Sequence, residues 1–177
     1  MKSVYRYGAE YGLFIGLYLT IMSASMLAFP YMPDAILLIY MMGIGLPIII
    51  FIMFRRLLSV EGNFANYSSL FMFGSTAFFC GAMICGALTA GYMILVSPNH
   101  IYEYVEMVIS TLENSPLKSE YVNEIEMTRS MISKRELPSP IEYVFSMMWL
   151  TILCGSLISM ILAPIVCFFN KVKPKNK

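Results

Sequence analysis

Four long stretches of the chain contain no Asp, Glu, Lys or Arg, and the charged residues are collected between them. Each stretch holds at least about 18 mainly apolar residues, the length that a helix needs to cross a bilayer core. In the longest, residues Leu70–Val96 would extend about 40 Å as a helix, which exceeds a core of roughly 30 Å and allows some tilt. The pattern predicts four transmembrane helices, over residues 8–29, 35–54, 70–96 and 143–169.

The segment between the third and fourth spans, residues 97–142, is the one long polar part of the chain. Its first half places Glu103, Glu106 and Glu113 on one helical face and Ile101, Val105, Val108 and Leu112 on another. Ser115-Pro116 then starts a second helix, with proline at a favoured first position. We expect two amphipathic helices that rest on the spans, because the acidic face lacks the basic residues of a membrane-surface anchor. The predicted fold is therefore all-α: one membrane domain over residues 1–177.

Composition agrees with this class. Hydrophobic residues make up 58% of the chain and charged residues only 13%, against about 25% charged residues in soluble domains. The net charge of +1 excludes the basic footprint of a nucleic-acid-binding protein, so the expected environment is the lipid bilayer. The four cysteines all lie in the third and fourth spans without a C-x-x-C spacing, which favours small packing residues over a disulfide or metal site.

Small residues recur at every fourth position in the first and last spans. Four residues turn a helix by about 400°, so such a ridge drifts by about 40° at each step. A partner helix that follows the ridge crosses at a right-handed angle and approaches the backbone closely. The ridge of the first span is Gly8, Gly12, Gly16, Thr20, Ala24 and Ala28, and that of the fourth is Thr151, Gly155, Ser159 and Ala163. We predict that both are helix-packing surfaces.

The third span carries two neighbouring ridges of small residues. Gly81 belongs to the first of them and Gly86 to the second. Two adjacent smooth faces predict a helix that packs on two neighbours.

The second span contains the sequence Gly43-Ile44-Gly45-Leu46-Pro47. Proline removes a backbone hydrogen bond and the glycines loosen the turn, so we expect a kink near the middle of the membrane. Transporters build binding sites at broken helices. A plain proline kink is the commoner interpretation, and both remain open from the sequence.

The distribution of Lys and Arg predicts the orientation of the spans. With both termini cytoplasmic, eight basic residues lie inside and four outside, in agreement with the positive-inside rule. Lys134 and Arg135, close to the fourth span, oppose this assignment. We predict a multi-pass protein of a bacterial inner membrane, with residues 97–142 extracytoplasmic and the first span retained rather than cleaved as a signal peptide.

Several local features are shared with one family. They are Tyr7-Gly8, the run Gly12–Leu17, Glu61-Gly62 with Phe64, and Ser97-Pro98 before a Glu-rich helical segment. In these features and in its layout the chain resembles the uncharacterised bacterial four-span membrane proteins of the domain-of-unknown-function 4199 type, although Asn63 stands where that family usually has a second glycine. The resemblance implies the four-span architecture and no catalytic mechanism.

Sequence motifs for catalysis are absent from the chain. There is one histidine and one aspartate, no P-loop, GxGxxG, HExxH or GxSxG motif, and no charge near the middle of a span. Sixteen methionines, with Met22 and Met26 one turn apart, raise the alternative of a Cu(I) site, but methionine also fills apolar gaps. We expect no enzymatic activity and no cofactor.

Three classes of function remain open on this basis. We favour an accessory or interaction subunit that uses its outer helical segment, with a second copy or another membrane protein as partner. The alternative is a small transporter or channel that acts as an oligomer, and a membrane enzyme is the least favoured class.

The predicted orientation can be tested with reporter fusions. A fusion after Asn114 is expected to report the extracytoplasmic side, and a fusion after Lys177 the cytoplasm, because of the basic residues that flank the spans. A cytoplasmic signal at Asn114 or an external signal at Lys177 would overturn the topology.

Overall fold

A computed structural model describes residues 4–28, 32, 34–61, 66–97, 99–114, 121–134 and 136–172. The described part consists of six helices and contains no strand, which confirms the all-α prediction. The helices are α1 (Val4–Ala28), α2 (Ala35–Glu61), α3 (Tyr67–Leu95), α4 (His100–Glu113), α5 (Val122–Lys134) and α6 (Pro140–Val172). Gly62–Phe64, Pro98, the predicted helix start at Ser115-Pro116 and the last three lysines lie outside the described residues.

Four of these helices are long and apolar enough to cross a membrane, which confirms the prediction of four candidate spans. The spans are Tyr5–Ala28, Ala35–Ser59, Tyr67–Leu95 and Pro140–Phe169. Helices α1, α3 and α6 begin three or four residues before the predicted limits, and α2 and α6 end after them. In particular, α2 continues through Arg55 and Arg56, since charged residues are excluded from the hydrocarbon region but not from the helix itself. The chain is thus a multi-pass membrane protein.

Helix α3 lies between α1 and α6. Along α1, Gly8 lies beside Thr76 and Gly16 beside Ile84, so α1 and α3 run in the same direction. Along α6, Gly155 lies beside Phe78 and Met148 beside Gly86, so α6 runs in the opposite direction. It follows that α4 and α5, which connect α3 to α6, lie at one end of the spans, called here the α4–α5 end. The start of α1 and the end of α6 lie at the other, called the terminal end.

The contact between α1 and α3 is a contact between backbones. A Cβ atom added to Gly12 would lie 2.6 Å from Cys80 Cβ and 3.0 Å from the carbonyl oxygen of Ala77. One added to Gly81 would lie 3.1 Å from the backbone nitrogen of Gly16. These distances leave no room for a side chain on either surface, so only glycine permits this approach.

The contact between α3 and α6 is a set of large side chains seated on glycines. Met148 of α6 packs on Gly86, and Phe78 of α3 packs on Gly155. Ser159, which is fully buried, lies against Gly74. Each of the two faces of α3 therefore receives one neighbour, because the small residues on it accept a helix or a bulky side chain.

The largest buried cluster lies toward the terminal end, where α2 joins the other helices. Its centre is aromatic: the rings of Phe54 and Phe73 are 5.9 Å apart, and those of Tyr11 and Phe73 are 5.6 Å apart, edge to face. Buried α2 residues continue from Ile50 to Leu58. Toward the α4–α5 end, α2 instead exposes large apolar side chains, among them Leu37, Tyr40, Met41 and Ile44. Helix α2 is thus held mainly by one half of its length.

A tyrosine of α1 lies against the Gly-x-Gly-Leu-Pro sequence of α2. The hydroxyl of Tyr18 donates a hydrogen bond of 2.6 Å to the carbonyl oxygen of Met42. A Cβ atom on Gly45 would lie 2.8 Å from that hydroxyl oxygen, whereas one on Gly43 would meet nothing within 4 Å. Pro47 lies inside α2 and lacks an N–H group, which weakens the helix locally. Tyr18 therefore ties α1 to α2 at its weakest turn.

The glycine contact predicts opposite effects for two similar substitutions. Gly12→Ala should destabilise the fold by about 1–3 kcal/mol, because the added methyl group overpacks the interface with α3. Gly91→Ala, whose Cβ would meet nothing within 4 Å, should stabilise α3 by about 0.5–1 kcal/mol. Unfolding by SDS in mixed micelles, followed by circular dichroism, measures both. Shifts of the same sign and size would contradict the packing role of Gly12.

The hydrogen bond of Tyr18 can be tested in the same way. Tyr18→Phe should lower stability by about 0.6–1.7 kcal/mol, the range measured for hydrogen bonds between membrane helices. It should also speed amide hydrogen exchange near Gly45. Tyr40→Phe is the control, because Tyr40 lies on α2 and its side chain is exposed. If the two variants unfold at the same SDS fraction, Tyr18 does not support α2.

Candidate functional site

Helix α4 is attached to the spans by a small apolar cluster at the α4–α5 end. Ile101 of α4, Met93 of α3 and Val144 of α6 form its buried centre, and Leu27 and Val105 pack against it. The beginning of α4 therefore rests on the end of α3 and the start of α6. This part of the segment lies on the protein's own spans.

Farther along α4 the apolar contacts turn toward α5. Ile109 of α4 and Ile125 of α5 are both buried. Arg129 of α5 forms an ion pair of 2.9 Å with Glu113 of α4. Val108, which we expected on the covered face, is exposed, although it borders a crevice between α4 and α5. The side chain of Leu112 lies outside the described residues.

A cavity of about 420 Å³ lies beneath α4. Its walls come from the end of α1, the beginning of α2, the end of α3 and the residues that precede α6. Leu27, Ile39 and Met93 are among the apolar residues that line it, and His100, Tyr104 and Tyr143 are its lining residues with polar side chains. No Asp, Glu, Lys or Arg of the described ranges lines this cavity. Volume and lining are those of a site for an apolar ligand with few polar groups.

The single histidine lies in the wall of this cavity. His100 is only 4% exposed, and its ring meets that of Tyr92 edge to face at 6.3 Å. Helical spacing places His100 on the same face as Glu103 and Glu106, yet His100 is buried whereas both glutamates are exposed. As the first residue of α4, His100 sits where the helix leaves α3, so it is enclosed although the residues that follow on its face are exposed.

The start of α6 is fixed by a reciprocal cap next to the cavity. The backbone N–H of Ser139 donates to Glu142 Oε2 at 2.8 Å, and the N–H of Glu142 donates to Ser139 Oγ at 3.3 Å. This is a capping box, whose Ser-x-x-Glu spacing is readable in the sequence but was not among our predictions. It holds Tyr143, the next residue, in the cavity wall.

A second, narrower crevice of about 80 Å³ lies among α1, α3 and α6. Ser23 and Thr89 bridge α1 and α3 there with hydroxyl oxygens 3.2 Å apart. The crevice brings Met22 and Met26 together with Met147, Met148 and Cys85. Within the described residues, no group of three or more His, Cys, Asp or Glu could hold a metal ion.

The predicted packing residues divide into two groups in the structure. Thr20 is half-buried and donates its hydroxyl to the carbonyl of Gly16 at 2.7 Å, Ala24 is exposed, and Ala28 is half-buried. Ala24 thus lies outside the buried contact with α3. Thr151 lines the crevice. The buried group is Gly8, Gly12, Gly16, Gly81, Gly86, Gly155, Ser159 and Ala163.

Comparison with known proteins gives a family and no activity. Residues 10–167 match the family described as "Protein of unknown function (DUF4199)". No curated protein and no solved structure matches the chain. The matched region includes most of the four candidate spans, α4, α5 and all the residues that line the cavity under α4. The chain belongs to the DUF4199 family of proteins of unknown function.

Proposed function

We propose that this protein is an accessory subunit of a membrane complex that binds a partner through α5. The observation that carries the proposal is the pair Met127 and Met131, which are 58% and 37% exposed and one helical turn apart. Methionine is flexible and polarisable, and it is frequent on surfaces that adapt to partners. A face with apolar residues at this spacing suits insertion into a groove of another protein.

The way in which α5 is held supports the same proposal. Helix α5 is fixed to α4 by Ile125 and by the ion pair of Arg129 with Glu113. Both contacts use one side of α5 and leave the methionine pair on an exposed side. Glu124, exposed one turn before Met127, adds a negative charge beside the apolar pair. We infer a partner surface that is apolar with a basic rim.

A non-enzymatic role is part of the proposal, and the chemistry of the spans supports it. The hydroxyls of Thr20, Ser25 and Thr151 bond to carbonyl oxygens of their own helices. Ser23 and Thr89 bond to each other. Such hydroxyls serve helix packing.

We place α5 outside the cytoplasm in a bacterial inner membrane, with both termini cytoplasmic, on the strength of the eight-to-four distribution of basic residues. A partner would then be a membrane protein with a periplasmic domain, or a second copy of this chain. The partner helix would meet α5 beyond the membrane surface.

An oligomeric transporter or channel is the second candidate function. It is favoured by the half of α2 that exposes Leu37, Tyr40 and Ile44, and by Gly43, which has open space beside it. If copies met along this face, the turn of α2 that Pro47 weakens would lie near their interface. Transporters build binding sites at helices that are interrupted near the middle of the membrane.

Site-specific photocrosslinking in native membranes tests the role of α5. A photoreactive amino acid at Met127 should give one discrete adduct with another membrane protein. The same amino acid at Glu106, which is exposed on α4, is the matched control and should give none. The double variant Met127→Glu, Met131→Glu should abolish copurification of that partner without lowering the amount of protein in the membrane.

Two outcomes would reject the accessory role. Equal labelling at both positions would mean that α5 has no specific partner. An adduct only between copies of the chain, together with crosslinks through Leu37, would favour the oligomeric alternative.

A further inference from the structure

The cavity under α4 lies where the spans end, so a membrane lipid can reach it without passing through water. Met26 of α1 and Ile36 of α2 line the cavity and are also exposed on the outside of the protein. The main contacts of these two helices lie away from the cavity. Helix α1 packs along α3, and α2 packs on the other helices toward the terminal end. The cavity wall is therefore continuous, through Met26 and Ile36, with the surface that α1 and α2 present to the bilayer.

The lining distinguishes between classes of lipid. Most of the wall is aliphatic, which suits a hydrocarbon chain. The polar side chains among the lining residues are those of His100, Tyr104 and Tyr143, which are able to donate hydrogen bonds to oxygen acceptors. None of the described lining residues is Lys or Arg, so a phosphate or carboxylate head would lose its hydration without gaining a permanent counter-charge. The wall therefore favours an uncharged head.

We propose that this cavity binds one neutral membrane lipid, with its apolar chain between α1 and α2 and its carbonyl oxygens facing His100, Tyr104 and Tyr143. The volume of about 420 Å³ lies within the range of ligand sites, roughly 300–1,000 Å³. Diacylglycerols and isoprenoid quinones share the chemistry of an apolar chain with an uncharged carbonyl head. The proposal does not depend on the role of α5 as a partner surface.

Native mass spectrometry of the full chain in detergent tests this proposal. Three probes are compared at equal concentration: dioleoylglycerol, a quinone with a short isoprenoid tail, and anionic dioleoylphosphatidylglycerol. We expect one molecule of a neutral probe per chain, at least tenfold preferred over the anionic lipid. The neutral probe that binds more tightly shows whether the site prefers a glycerol ester head or a quinone head.

Substitutions at the cavity provide the matched comparison. Ile39→Trp should fill the space and reduce binding of the neutral probe at least tenfold. Leu37→Trp is the control, because Leu37 lies on the same helix but is 68% exposed and does not line the cavity. His100→Phe keeps a planar ring and removes the hydrogen bond, so it should reduce affinity several-fold. If gel filtration shows that Ile39→Trp does not fold, the affinity of the His100→Phe variant for the neutral probe tests the site instead.

Three results would overturn the proposal. Equal binding of all three probes, unchanged by Ile39→Trp, would mean lipids that only surround the spans. Preference for the anionic lipid would mean a different site. No bound probe, together with a higher unfolding temperature of Ile39→Trp, would mean an empty cavity or one filled by the protein itself.

Discussion

The close approach of α1 to α3 is the constraint on which the rest of the structure depends. In a bilayer the tails of the lipids are as apolar as leucine, so burial of apolar side chains does not drive helices together as it does in water. Association must come from dense packing and from polar contacts. Dense packing is provided by Gly12 and Gly16 on α1 and by Gly81 on α3. A polar contact is provided by the hydroxyls of Ser23 and Thr89. This contact makes α3 the central helix and leaves its other face to α6.

Helix α2 takes a peripheral position as a consequence. The two faces of α3 with small residues are occupied by α1 and α6, so α2 packs chiefly through large side chains such as Phe54 near the terminal end. Its opposite half is tied to α1 by Tyr18 alone among the hydrogen bonds of the described side chains. The space that remains at this end, under α4, is the cavity. One tight interface thus accounts for an open region elsewhere in the protein.

The sequence predicted the features that repeat along the chain. The four apolar runs and the small residues at every fourth position each involve many residues, so one residue that departs from the pattern does not change the prediction. Single contacts between distant parts of the chain were not predictable. The burial of His100, the exposure of Ala24 and the bond of Tyr18 to Met42 each depend on where a neighbouring helix ends or crosses. The capping box at Ser139 was readable from local spacing, because its two bonds involve only four residues.

Helix α4 has contacts on two sides, and this links two regions of the protein. Ile101 and Val105 form part of the cavity wall, whereas Ile109 and Glu113 hold α5. A ligand that shifts α4 would therefore shift α5 with it. Such coupling is reciprocal by thermodynamic necessity: whatever factor a ligand in the cavity applies to the affinity of a partner for α5, the partner applies to the affinity of the ligand. A change in the lipids of the surrounding membrane would then change the fraction of the protein that is bound to its partner. Binding of the partner would in turn change the fraction of cavities that hold a lipid.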